Sequence, residues 1–164
     1  VSDPFRDLTE VLAEQAAELR GLVPLLDAQQ TALTRADTAA VATLVSEQAP
    51  ILRRLLQLDR RRQTLAVALA AHLGVGPGPL SLSALLARIP SPPRPVTALQ
   101  QELRELLAVV DRRNRRNAFL LQRAMTYVGG LLRVVAGPEP APVYSATGQP
   151  AAPPATPRLL DRSA

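Results

Sequence analysis

Residues 97–136 read TALQQELRELLAVVDRRNRRNAFLLQRAMTYVGGLLRVVA. The stretch opens on Thr97-Ala98-Leu99-Gln100, a capping-box pattern in which a hydroxyl and an amide side chain satisfy the first free N–H groups of a helix. Leu99, Leu103, Leu106, Val110, Arg113, Asn117, Leu120, Ala124, Tyr127, Leu131 and Val134 then follow at alternating spacings of four and three. That rhythm keeps one helix face turned toward a neighbour. Leu107, Leu121, Val128, Leu132 and Val135 widen the face beyond a two-helix seam, so it asks for more than one neighbour. With no stop before Gly137-Pro138, the helix is expected to run about 60 Å.

The same rhythm recurs toward the N-terminus. Leu8, Leu12, Gln15, Leu19, Leu22, Leu26, Gln29 and Leu33 predict a first helix from Pro4, capped by Asp3, with a kink or break at Pro24. Val41, Leu44, Gln48, Ile51, Leu55, Leu58, Arg62, Leu65, Leu69 and His72 predict a second, capped by Asp37 and kinked at Pro50. Gly74, Gly76, Pro77, Gly78 and Pro79 end it. Ser81 or Ser83 caps a short helix through Ile89, and the proline-rich segment 90–95 returns the chain to the long helix. The expected fold is all-α: an elongated antiparallel helical bundle or coiled coil with three long helices and one short linker helix. Residues 1–137 form this domain, and 138–164 form a flexible Pro/Ala-rich tail.

Composition agrees. Aromatic residues are only 2% of a chain that is 47% hydrophobic, and Leu, Ala and Val favour helix over strand. There is no cysteine and no lysine. Residues 3–33 carry six acids against Arg6 and Arg20, a net −4, whereas 35–73 carry +3 and 97–136 carry +4. An acidic first helix beside two basic ones draws the chain onto itself. The polar, acidic N-terminal residues do not resemble a secretory leader, and no apolar run reaches the length of a membrane span. A cytoplasmic protein without stable membrane insertion is the simplest expectation.

No catalytic constellation emerges. His72 is the single histidine, and Gly74-Val75-Gly76-Pro77-Gly78 lacks the Lys-Ser/Thr of a phosphate loop. No metal or other cofactor is expected. Arg112, Arg113, Arg115 and Arg116 around Asn114 can neutralise phosphates, but no base-stacking aromatics accompany them, which disfavours nucleic acid as a partner. Asn114 and Asn117 share a face, where a buried Asn fixes helix register as readily as an exposed one meets a partner. Tyr127 fits either core or partner surface.

Together these pieces resemble the FlgN family of flagellar type III export chaperones. The resemblance rests on Leu22-Val23-Pro24-Leu25-Leu26-Asp27-Ala28-Gln29-Gln30-Thr31-Ala32-Leu33, on Gln48-Ala49-Pro50-Ile51-Leu52 leading to Leu58-Asp59-Arg60-Arg61-Arg62, on Asn114-Arg115-Arg116-Asn117-Ala118-Phe119-Leu120-Leu121 with Tyr127, and on Val143-Tyr144-Ser145-Ala146-Thr147-Gly148. It implies a non-enzymatic chaperone that holds the C-terminal helices of hook-filament junction (hook-associated) proteins and presents them to the flagellar export gate. By that resemblance Asn114, Asn117, Leu120, Leu121, Ala124, Val128 and Leu131 contact the client, and Tyr127 or Tyr144 contacts the gate. Self-association is an expected client-free state. A structural coiled-coil adaptor and an Arg-dependent nucleic-acid binder are the competing readings of the same residues.

Overall fold

The computed structural model describes residues 4–74 and 81–136. Four helices follow in order: α1 Pro4–Thr34, α2 Thr38–His72, α3 Leu82–Leu86 and α4 Arg94–Ala136. No strand occurs among the described residues. The fold is therefore the all-α bundle that the leucine rhythm implies. Asp3 and the tail carrying Tyr144 lie outside the described residues, as does the boundary at 137–138. The chain divides into two compact units, Val1–Arg123 and Ala124–Ala164, and the division falls inside α4.

In the first unit α1 carries the centre of the core. Leu8, Leu12, Gln15, Leu19, Leu22 and Leu26, six consecutive members of its stripe, are all buried. Pro24 lies within α1 and Pro50 within α2, and each helix continues through its proline despite the lost amide donor and the crowding of the carbonyl four residues back. The turn between them is closed by Asp37 N–H donating to the Ala32 carbonyl at 2.9 Å and Ala36 N–H to that of Leu33 at 3.2 Å. Asp37 Oδ1 then accepts from Ala40 N–H at 2.9 Å and caps α2.

Ion pairs report the helix directions. Arg61 meets Glu10 at 3.8 Å and Glu14 at 3.6 Å, and Arg54 also meets Glu14. Further along α1, Gln29 accepts a hydrogen bond from Gln48. These contacts run in opposite senses, so α1 and α2 are antiparallel. Against α4 the sense is the same for both helices: Arg20 pairs with Glu102, and Asp27 pairs with Arg113 at 2.6 Å. The acidic first helix thus meets arginines on both basic helices, as its charge suggests. Each such pair is solvent-exposed and contributes less than about 1 kcal/mol, so the leucines decide stability.

Ser81, not Ser83, caps α3, accepting from Ala84 N–H at 3.2 Å. The helix ends at Leu86, short of the expected Ile89. Leu82, Leu85 and Leu86 join the core formed with Leu69 and Val96. The start of α4 corrects the sequence reading. The helix begins at Arg94, three residues before the capping-box position. Pro95 is tolerated because first-turn amide hydrogens have no helical partner, and the Pro93 carbonyl accepts from Val96 and Thr97 N–H. Thr97 Oγ1 donates to the Arg94 carbonyl at 2.9 Å, and Gln100 Nε2 donates to Ser83 Oγ at 3.0 Å. The capping box is not formed, and Gln100 instead ties α4 to α3.

Candidate functional site

The Arg113–Asn117 turn fixes α4 on α1. Asn117 is 5% exposed. Its Nδ2 donates to the Leu26 carbonyl at 3.0 Å and to Gln29 Oε1 at 3.1 Å. Gln48 Nε2 donates to the same Gln29 oxygen at 3.2 Å. One amide oxygen therefore joins α1, α2 and α4, which fixes the register of the three helices. Asn117 Oδ1 is buried without a hydrogen-bond partner among the described residues. Asn114, one turn earlier, is exposed. Leu120 is half-buried, while Leu121 is 48% exposed.

In the second unit the described residues are the final turns of α4, from Ala124 to Ala136. Met125, Tyr127, Val128, Leu131, Leu132, Val134 and Val135 are all large, apolar and exposed, and Ala124 is exposed beside them. Tyr127 is 70% exposed, which places it on the surface and not in a core. Arg133 is the one charged side chain of these turns whose surroundings are described. A helix apolar on nearly every face forms a surface that water disfavours and a partner can cover.

The first unit also contains a groove that no single stripe reveals. Leu12, Gln15 and Leu19 of α1 make its floor. Leu52, Leu55 and Leu56 of α2 form one wall, Leu103 and Leu107 of α4 the other, and Leu82 and Ser83 of α3 lie at its edge. It encloses about 680 Å³. The sequence signal was faint: Leu55-Leu56 and Leu106-Leu107 each double a stripe position, and the second leucine of each pair turns to the groove. Leu56 is 63% and Leu107 54% exposed.

The arginine cluster does not act as one patch. Arg113 pairs with Asp27 and Arg115 with Asp111, leaving Arg112 and Arg116 exposed. His72 is exposed in the last turn of α2. No group of three or more His, Cys, Asp or Glu side chains able to hold a metal occurs among the described residues. None of the described helices is long and apolar enough to cross a membrane.

Comparison with known proteins adds one match. The family model described as FlgN protein matches residues 5–152, a span that covers all four helices but for Pro4, the first residue of α1. No curated protein and no solved structure matches the chain.

Proposed function

Because the chain belongs to the FlgN family, a family of flagellar export chaperones, we propose that it acts in the cytoplasm by holding the C-terminal helices of hook-filament junction proteins. It keeps them from assembling early and delivers them to the export gate. The observation that carries this reading is the uncovered apolar surface of late α4: Leu121, Val128 and Leu131 are each about half exposed or more. Ala124 is exposed as well. Asn114 lies on the accessible surface and contributes polar contacts. Asn117, bonded to Leu26 and Gln29 of α1, holds the helix that presents the others, and half-buried Leu120 lies beside it.

No catalytic step is needed. An amphipathic client helix presents an apolar stripe that water disfavours, and the chaperone covers it. Burial of about 600 Å² of apolar area at about 25 cal/mol per Å² favours the complex by about 15 kcal/mol. Lost translation, side-chain ordering and desolvation cancel much of that. The cost of ordering the client keeps release within reach of the gate. Tyr127, whose ring is exposed, is the gate contact favoured among the described residues, with Tyr144 as the alternative.

Co-purification of the chain with a junction protein's C-terminal helical region tests the reading. The wild-type chain is expected to retain the client through washing. The double variant Leu121→Asp, Leu131→Asp is expected to lose it while keeping its helical circular dichroism, because both side chains are exposed. Retention by the variant as strong as by wild type would place the client elsewhere.

A further inference from the structure

The groove in the first unit calls for an occupant of its own. Its walls present leucines at helical spacing: Leu52 and Leu56 on α2 face Leu103 and Leu107 on α4. Parallel ridges of this kind accept the side chains of an inserted helix. The length from Leu52 to Arg62 along α2 is about 15 Å, or nearly three helical turns.

The rim charges specify the occupant further. Asp59, the acid that lines the groove, is already satisfied: Oδ1 accepts from Arg62 at 2.6 Å and Oδ2 from Gln63 at 2.7 Å. Arg53 and Arg60 flank Leu56, three residues before and four after it, and neither makes an ion pair among the described residues. On the opposite wall Arg104 donates to Ser83 Oγ at 2.6 Å and has no acidic partner among the described residues. The groove thus has an apolar bed, Arg104 without an acidic partner in its α4 wall, and on the α2 side Arg53 and Arg60 beside Leu56, just outside its lining.

We propose that this groove docks a short amphipathic helix of a partner protein, with leucine-type side chains on its inner face and carboxylates along both edges. The site lies wholly in the first unit and uses none of the residues assigned to the junction-protein client. It does not depend on that assignment. Leucines of the incoming helix fill the space above Leu12 and Leu19, and its carboxylates meet Arg53 and Arg60 on one side and Arg104 on the other. Electrostatic complementarity of this kind selects the partner and its orientation more than it sets affinity.

The probe is a pair of synthetic, covalently stapled helical peptides of about 14 residues, roughly four turns. Both carry leucine at alternating spacings of three and four, one with Glu along both edges and the other with Lys. Fluorescence anisotropy against the full chain is expected to show saturable binding of the Glu peptide, weakening with salt and about tenfold or more tighter than that of the Lys peptide. The variant Leu56→Asp, Leu107→Asp is expected to weaken the Glu peptide about tenfold or more. A second variant, Arg60→Glu, Arg104→Glu, leaves the apolar bed intact and is expected to reverse the preference toward the Lys peptide. Absence of binding by the Glu peptide, equal binding of the two peptides, or binding indifferent to both variants would overturn the proposal. Its failure is separable from failure of the client reading, since Leu121→Asp, Leu131→Asp is expected to abolish junction-protein capture and leave Glu-peptide binding unchanged.

Discussion

Ala36 shows how a single backbone angle costs stability. It sits at φ 55° in the turn between α1 and α2, a region where an L side chain is strained and glycine is not. Ala36→Gly is expected to raise stability by about 0.5–1 kcal/mol, read as a higher denaturation midpoint. Gly74 takes the same left-handed conformation after α2 at φ 69° and already has the suitable residue. Asn117 makes the opposite case. Its amide nitrogen donates to two acceptors, the Leu26 carbonyl and Gln29 Oε1. Asn117→Asp would bring a carboxylate with no donor against both in a buried site. A loss of about 2–4 kcal/mol is expected in urea unfolding at neutral pH, with much of it recovered on acidification as the carboxyl protonates. An unchanged midpoint would mean that the turn around Asn117 opens freely to water.

The helices were largely legible in the sequence because their leucines repeat at a spacing that only a helix brings onto one face. Six successive stripe positions of α1 are buried, and Asp37 caps α2 as its position before an apolar run suggests. The start of α4 was misread for a local reason. A capping box competes with any earlier start that first-turn prolines permit, and Pro95 permits one. The groove was hidden for a tertiary reason. Leu52, Leu56 and Leu107 become a site only once α2 and α4 are placed on either side of α1, and periodicity within one helix carries no information about the space between two others. Late α4 lies between these cases: its apolar residues were plain, but whether they were core or surface was not. Tyr127 at 70% exposure decides that for its own position. The element-scale expectation follows directly. Replacing Tyr127 by Phe preserves the apolar ring and removes the hydroxyl, so client capture is expected to persist, whereas Tyr127→Ala weakens delivery at the gate in a secretion assay.

For the whole molecule, the arginine-to-acid pairs among α1, α2 and α4 lie on the surface, with side chains 30–61% exposed in those joining α1 to α2. Screening them is expected to shift stability by no more than about 1 kcal/mol between low and high salt, as followed by thermal melting. Apolar burial centred on α1 holds the first unit, and the uncovered surface of late α4 is the means of association proposed for the chain. Sedimentation across concentration is expected to show reversible self-association without client and a hetero-complex once client is added, whereas a permanent structural adaptor would stay a fixed oligomer and exclude the client. The most direct test is calorimetric titration of the chain with a junction protein's C-terminal helical region at several temperatures. Saturable binding with a negative heat-capacity change, lost in Leu121→Asp, Leu131→Asp, is the predicted result. Absence of any heat or complex at tens of micromolar, from a chain that remains folded, would contradict it.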